Sequence, residues 1–427
     1  MNIWYLHHYA TPYELPGLHR PFEFGKFFVK KNNRLAVFTS SYLHYSGDNV
    51  IKNKKKYKII TYDNIDAVFV KTSAYDNIFE RIINMMQYWK RVVKIAQCYS
   101  KKFWNPDIII ASSPHPLTML SGIKLAKKFN VPCVCEVRDF WPEDFFYDGI
   151  IKEKSFIGRF LLKVEKYIYE NADELVFLKE GDYTYITDRG WDRSNGGTID
   201  LKKCHYVNNG VDLNLFDERA KKFDLDITHN EENKKFFDVV YCGTVRPGNH
   251  IDQLLDTAKL LPDDIRFLIY GTGSCIADIE KRVRSEHINN VVIKGYIDNK
   301  YVPCVLKNAS ATILNYSDLD YNWSRGNSSN KLFEYLASGK PVISTVNMGY
   351  DILKKYNCGV SAEKCTPIEI AKSIFYIYNL PKKDYIKMCE NSRIASKDFD
   401  IFVLSNKYLD ILKNAIDCYD SGGDVND

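Results

Sequence analysis

The sequence predicts an α/β fold made of two doubly wound, Rossmann-like domains. Three observations carry that expectation. Short apolar runs bounded by turn residues alternate with amphipathic, helix-length segments along nearly the whole chain. The alternation breaks off in a charged stretch (AKKFDLDITHNEENKK) and then begins afresh at residue 237. The apolar runs of the second series end in glycine, at the edge where open α/β sheets bind ligands.

The opening run NIWYLHHYA (2–10) reads as a strand. Pro12, Pro16 and Gly17 make the next stretch a loop before a helix starting near Arg20. LAVFTSS (35–41) and IDAVFVKT (65–72) are strands, and the lysine run 52–58 between them reads as a solvated loop. Residues 76–103 form a long helix. Ile78, Ile82, Met85, Met86, Trp89, Val92, Val93 and Ala96 keep helical spacing, and Arg81, Lys90, Arg91, Lys94, Lys101 and Lys102 supply basic positions. That helix reads first as core-facing, with a surface leaning on anionic lipid as the second reading.

PDIIIASSP (106–114), a helix over 116–129 and VPCVCEVRDFWPE (131–143) form a further βαβ unit. A helix over 155–171, the strand ELVFLK (174–179) and a helix over 180–190 follow. CHYVNNGVDLNLF (204–216) is strand then turn, with Gly210 expected at positive φ. Residues 217–236 show no apolar periodicity and read as linker. The second series has strands at 237–244, 265–273, 290–297, 309–317, 342–345 and 359–363. Helices are expected at 249–261, 275–286, 299–308, 367–379, 382–396 and 401–418. The domains expected are therefore 1–207 and 208–385, facing each other across a cleft. Helices over 386–418 would pack back toward the first domain, and 419–427 would be a disordered tail.

The 427 residues suffice for two full cores, and 45% hydrophobic with 26% charged residues is ordinary for a globular protein. A net charge of +5 is too mild to argue for nucleic acid. The 11 cysteines are scattered without zinc spacing, no leader is evident, and no apolar run approaches a membrane span. A reducing, cytoplasmic location is expected, with association to a membrane surface as an additional reading. The 30 tyrosines read as an aromatic-rich core, and secondarily as carbohydrate or membrane-surface contact.

Chemistry concentrates in SSNKLFEYLASGKPVIST (328–345). Ser328, Ser329 and Asn330 are N-cap residue types, and Leu332, Phe333, Tyr335 and Leu336 bury the helix. Gly339 fits its C-terminal cap, and VIST is a buried strand. Glu334 lies about one turn into this apolar helix. It is either a charge satisfied by the helix dipole or a carboxylate that accepts from sugar hydroxyls. Gly243, Gly271 and Gly295, each at a strand end, let backbone approach a ligand closely. With the helix start at Asn330 and Lys331 they form one expected anion site. Neither GxGxxG nor GxxxxGK[ST] is present. In the first half, Arg138 and Asp139 follow a strand at the ligand edge, either as an ion pair holding the turn or as site residues. His7, His8, His19, Ser113, His115 and the loop 10–20 with Gly17 are acceptor-side candidates, although single histidines are more often structural.

Together these segments resemble retaining glycosyltransferases of family four, with the GT-B fold. The resemblance rests on NNGVDLNLF, YCGTVRPGNHIDQLLDTA, YGTGS and SSNKLFEYLASGKPVI, and covers nearly the whole chain. EVRDFWPE looks like a subset that builds bacterial surface polysaccharides. The resemblance implies a nucleoside diphosphate sugar, UDP-linked, as co-substrate, no other cofactor and no metal. It implies that Glu334 holds the ribose and that loop amides at Asn330, Lys331 and Leu332 hold the diphosphate. Gly243, Thr244, Asn249, Gly271 and Thr272 would then lie against nucleotide or phosphates, and Tyr296 and Ile297 against the base.

Arg246 and Lys331 would neutralise the leaving diphosphate, and Asp139 would stand near the sugar or the acceptor hydroxyl. Gly17, His115 and Arg138 would contact substrate, a saccharide or lipid-linked glycan. Two departures stand out. Gly326, preceded by Arg325, occupies the place of the glutamate that normally contacts the transferred sugar. The phosphate loop lacks its usual arginine and lysine. A GT-B nucleotide-sugar epimerase and a non-catalytic sugar-nucleotide-binding subunit are the alternatives.

Overall fold

The computed structural model describes residues 1–223, 236–317 and 321–422, without the side chains of 321 and 322. The chain divides into two compact units. The first comprises 1–178, 182–207 and the residues from 405 onward; the second comprises 179–181 and 208–404.

The first unit is built on an eight-stranded sheet. Its strands are β1 (Asn2–His7), β2 (Arg34–Ser40), β3 (Tyr57–Tyr62), β4 (Ile65–Val70), β5 (Ile108–Ser112), β6 (Cys133–Val137), β7 (Glu174–Phe177) and β8 (Cys204–Tyr206). Their order is β3-β4-β2-β1-β5-β6-β7-β8, and only β3 runs antiparallel, against β4. Ile3, Trp4, Tyr5 and Leu6 are all fully buried, as a central parallel strand covered on both faces requires. Trp4 packs edge-on against Phe38, Tyr99 and Phe129, tying β1 to β2 and to helices on one face. The helix Ile78–Lys102 starts where Asn77 accepts from the Glu80 amide at 3.0 Å. Because β2 lies on one side of β1 and β5 on the other, the switch point falls at the carboxyl ends of β1 and β5.

The second unit holds six parallel strands: β9 (Phe237–Cys242), β10 (Ile265–Tyr270), β11 (Val291–Gly295), β12 (Ala311–Leu314), β13 (Val342–Ser344) and β14 (Gly359–Ser361). Their order, β11-β10-β9-β12-β13-β14, puts the switch point at the carboxyl end of β9. Two cores flank this sheet, one containing Leu332, Phe333, Tyr335 and Leu336, the other containing Leu254, Leu255 and Ile374.

Several sequence expectations change. The lysine run ends in a strand, β3, at the edge of the sheet, where Lys58 and Thr61 are exposed while Tyr57 and Ile59 pack against the core. Helix Leu213–Lys222, capped by Asp212, occupies much of the supposed turn and linker; its one buried stripe is Leu213 and Phe216, too short to show as periodicity. The rest of that linker, 224–235, lies outside the described residues. Short helices Trp141–Tyr147 and Ile352–Tyr356 were not anticipated, and the helix expected over 180–190 contracts to Thr184–Asp188. Gly210 does not adopt positive φ; it is needed because a Cβ there would lie 2.3 Å from the Phe399 carbonyl oxygen. Helix Lys382–Asp398 packs within the second unit, where Ser392 Oγ donates to Lys340 O at 2.8 Å. The last helix, Ile401–Asp420, runs past the expected tail boundary at 419, and 423–427 lie outside the described residues.

Candidate functional site

In the second unit the site forms around the end of β9. The turns after β9, β10 and β11 are locked to one another by backbone. Gly243 N donates to Tyr270 O at 2.9 Å, Val245 N to Thr272 O at 3.0 Å and Gly271 N to Gly295 O at 2.7 Å. A Cβ at Gly271, where φ is +139°, would sit 1.8 Å from the Gly243 carbonyl oxygen. A Cβ at Gly243 would sit 2.5 Å from Cε of Lys331. Glycine is therefore the condition for bringing two turns and a lysine together.

Lys331 is the second residue of the helix Asn330–Ser338. Its ammonium donates to the Tyr241 phenol oxygen at 3.0 Å and stands 4.7 and 5.6 Å from the ring centroids of Tyr241 and Tyr316. Burial, and then the positive charge of Arg246, push it down to about 8, against the pull of Cys242 and Glu334. Arg246 itself is exposed. Glu334 is half-buried, and its charge, after burial, helps push the Cys242 thiol up to about 12. The carboxylate therefore lies near the end of β9. Tyr335 fixes this helix to the same strand end, accepting from Cys242 N at 3.0 Å and donating to Cys242 O at 3.2 Å.

The helix start differs from the expected cap. Ser329 is the N-cap residue, but its hydroxyl makes no capping bond, and Asn330 is already helical and exposed. The loop before it is held instead by Asn327 Oδ1, which accepts from Ser329 N at 2.7 Å. The amides of Asn208 and Asn209 also hold it, donating to Asn327 O at 3.0 Å and Ser328 O at 2.7 Å. The NNGVD segment thus buttresses the SSNK segment. Leu332 is buried, its amide bonded to Ser329 O.

Asn249 is buried and shapes its loop: its Nδ2 donates to Thr244 O at 2.6 Å, and its carbonyl accepts from Asn315 at 2.5 Å. Thr244 and Thr272 are exposed beside these turns. Tyr296 is 70% exposed, while Ile297 packs on the core. Gly326 is buried at φ +109°, a conformation closed to glutamate without strain. Tyr241, Tyr316 and Asn315 were not singled out from the sequence, where they are indistinguishable from ordinary strand residues.

In the first unit, Glu136 is fully buried in β6. It accepts from Arg20 Nε at 3.0 Å, Tyr5 Oη at 2.9 Å and Ser112 Oγ at 2.8 Å. Burial raises its pKa, but the charges of Arg20 and Arg138 and these donors bring it down to about 2. Arg20 also donates to Val207 O at 2.9 Å. Neither the carboxylate inside VCEV nor the arginine opening the first helix was singled out from the sequence as a partner of the other.

His8 and His115 meet at the switch point. Asn84 Nδ2 donates to Ser73 O, which turns its Oδ1 toward His8 Nε2 at 2.7 Å. That assignment leaves His8 Nδ1 to accept from His115 Nε2 at 2.5 Å, and leaves His115 Nδ1 buried without a partner. Burial lowers His7 and His8 to about 3 and takes His115 well below the ordinary histidine range. All three are neutral.

Arg138 and Asp139 do not pair. Asp139 is exposed, whereas Arg138 has a buried Nη1 without a partner and acts electrostatically on His7 and Glu136. The Arg138 amide donates to Ser113 Oγ at 2.8 Å. His19 bonds Thr11 O at 3.0 Å, and a Cβ at Gly17 would clash with Thr11, so both shape the loop. Among the described residues no group of three His, Cys, Asp or Glu is arranged to hold a metal.

Residues 222–395 match the family described as glycosyl transferases group 1. A Bacillus subtilis (strain 168) protein, TuaH, named as a glycosyltransferase of teichuronic acid biosynthesis, is 29% identical over 148 residues. That alignment spans 35% of this chain and 36% of the length of that relative. A sucrose-phosphate synthase from Thermosynechococcus elongatus superposes with a TM-score of 0.70 at 16% identity, over 98% of this chain and 99% of that one. HepE from Anabaena, solved with UDP-glucose, gives 0.64 at 13%, covering 97% and 100%. WaaG, a glycosyltransferase of lipopolysaccharide biosynthesis, gives 0.63 at 14%, covering 96% and 99%. The fold is GT-B, as the sequence motifs implied.

Proposed function

We propose that this GT-B protein, whose residues 222–395 match the glycosyl transferases group 1, is a retaining glycosyltransferase. It would move a sugar from a UDP-sugar to a saccharide or lipid-linked glycan in the synthesis of a surface polysaccharide, in peripheral contact with a membrane. The observation that carries the reading is Lys331. An ammonium half-buried between two tyrosine rings, at a helix start and against the turn at Gly243, suits a diphosphate leaving group. The match to the group 1 family and the likeness to TuaH support it.

In the proposed reaction the bond between the sugar C1 and the diphosphate oxygen breaks, with its electron pair passing to the phosphate. The acceptor oxygen bonds C1 on the same face, and its proton goes to the departing phosphate oxygen. Lys331 and Arg246 stabilise the developing charge, Glu334 holds the ribose diol, and Asp139 stands on the acceptor side. Isothermal calorimetry with UDP on the wild type and on Glu334→Ala tests the ribose role, with unchanged affinity refuting it. Incubation with a panel of nucleotide sugars tests the class. Slow UDP release with one sugar is expected; interconversion of sugars would indicate an epimerase, and no turnover with any donor and acceptor a binding subunit.

A further inference from the structure

We propose that a lysine-rimmed groove on the edge strand β3 of the first unit holds an anionic saccharide chain, one that carries carboxylate or phosphate groups along its length. The groove measures about 650 Å³, within the range of sites that bury an organic ligand. Its floor follows from the alternation of β3. Lys58, Ile60 and Tyr62 share the face that lines the groove, while Tyr57 and Ile59 pack on the core behind. Leu15 and Val50 complete the apolar wall, and Lys52 and Lys55 stand at the rim with Lys58. The three lysines are exposed, whereas Leu15, Val50, Ile60 and Tyr62 are half-buried. Because β3 runs antiparallel to β4, with Tyr57 opposite Val70, Lys58 lies at the ligand edge of the sheet and Tyr62 about 13 Å down the strand. The segment that leads to the groove also borders the switch point. The His44 ring lies 5.3 Å from that of Tyr9, which stacks on His8 at 4.5 Å. A chain whose growing end reaches the histidines of the switch point therefore continues into the groove.

Between Asp48 and Asp63 the chain carries Lys52, Lys54, Lys55, Lys56 and Lys58 and no carboxylate. None of these lysines pairs with an acid among the described residues. The neighbouring acids lie to the sides. Asp66 is on the opposite face of β3, accepting from Thr61 and Tyr99. Burial, and then the charge of Glu14, raise the Tyr62 phenol, which places Glu14 at that end of the groove, where Asp63 is also exposed. Asp48 is exposed where the loop begins. The loop keeps its lysines from dispersing. Asn49 Nδ2 donates to Thr72 O at 2.9 Å, Asn49 Oδ1 accepts from Ile51 N at 3.0 Å, and Asn53 Oδ1 accepts from Lys55 N at 3.0 Å. Lys71 adds a further cation behind it, its amide donating to Lys56 O at 3.0 Å and its ammonium to Asn53 O. Like charges held together repel one another, and an anion relieves them. Lysine on an edge strand also blocks pairing with another sheet, but that purpose needs neither a concave floor nor a tyrosine in it. The apolar groups are recessed between the lysines, whereas a bilayer takes up side chains that protrude. The form of the groove thus suits a single chain, with sugar rings against Tyr62 and Ile60 and their acidic groups on the lysines.

The use of such a groove rests on the saccharide acceptor proposed above. Binding is read without donor or turnover, so a protein that holds the chain and transfers nothing fails that reading alone. Calorimetry of the full chain with hexagalacturonate, with its methyl ester and with an oligomer of glycerol phosphate is the test. Binding of an anionic oligomer that weakens with salt is expected, and the tighter of the two names the anionic group. The uncharged ester should bind about tenfold more weakly or worse. Lys52→Gln with Lys55→Gln and Lys58→Gln should lower the affinity about tenfold or more and flatten its salt dependence, with an unchanged melting temperature. Tyr62→Ser should weaken binding and leave the salt dependence as it is. Equal affinity of the triple lysine variant and the wild type overturns the proposal, as does equal binding of the ester or failure of both anionic oligomers to bind. Lysine-dependent binding seen only with phosphatidylglycerol vesicles overturns it too, by assigning these side chains to a lipid surface.

Discussion

The ammonium of Lys331 donates to the phenol of Tyr241 at 3.0 Å and lies 4.7 Å from the centroid of that ring. A cation held over an aromatic face, out of bulk water and close to the charge of Arg246, awaits a negative partner. In the folded protein it loses its proton near pH 8; in the unfolded chain it does so near 10.5. The unfolded chain therefore binds more protons between those values, and the cost to stability is full below pH 8 and relieved above it. Lys331→Met should raise the stability of the ligand-free protein at neutral pH by about 1–3 kcal/mol, measured by urea denaturation. The same change should lower kcat by about 10²–10³.

In the proposed reading, UDP would supply that partner and restore the proton. Calorimetry between pH 7 and 9.5 should show affinity constant to about 8, then falling by up to about tenfold per pH unit, with proton uptake above 8. An affinity flat across this range would exclude Lys331 from the phosphate contact.

The glycines at the strand ends are not equivalent. At Gly271 a Cβ meets the Gly243 carbonyl oxygen at 1.8 Å, and φ is +139°. Gly271→Ala should cost about 3 kcal/mol or more and abolish UDP binding, because two turns must separate. At Gly295 φ is +72° and nothing lies within 4 Å. Gly295→Ala should cost only about 1 kcal/mol, with UDP affinity retained. Equal costs would mean that the stacked turns are not what brings the phosphate loops together.

Element order and the places of the glycine turns and of the helix Asn330–Ser338 were legible because their signals are local: periodicity, glycine at strand ends, and an apolar helix closed by Gly339 in SSNKLFEYLASGK. The buried pair Arg20 and Glu136, 116 residues apart, was not legible, since each looks like an ordinary loop or strand charge until β6 and the first helix meet. Nor could the sequence show that Asn249 turns inward or that Gly326 adopts φ +109°, since both follow from the path of surrounding loops. Asp139 and Arg138, adjacent in sequence, do not pair, one side chain being exposed and the other half-buried.

Arg20 and Glu136 should behave as one unit. Arg20→Met leaves a carboxylate buried among Tyr5 and Ser112 and should destabilise by about 3–5 kcal/mol. Adding Glu136→Leu removes the unpaired charge and should recover most of that loss in chemical denaturation. If the double variant is as unstable as the sum of the singles, the pair is not acting as a unit.

The histidines at the switch point make the first unit sensitive to acid. His7 and His8 remain neutral to about pH 3, and burial takes His115 well below the ordinary histidine range, whereas in an unfolded chain each takes a proton near 6.5. Below that value the unfolded state binds up to three more protons, so stability falls as pH falls, with a slope of up to about 4 kcal/mol per pH unit. Glu136 adds to the loss only below about 4.5, because its folded pKa is near 2. Denaturation midpoints at pH 7.5, 6.5, 5.5 and 4.5 should therefore be level at first and then drop steeply, beginning well above the carboxylate range. His8→Gln, which removes one of the three groups, should reduce the slope by about a third. A stability curve flat down to pH 4.5 would show that these imidazoles are protonated in the folded protein and reach solvent.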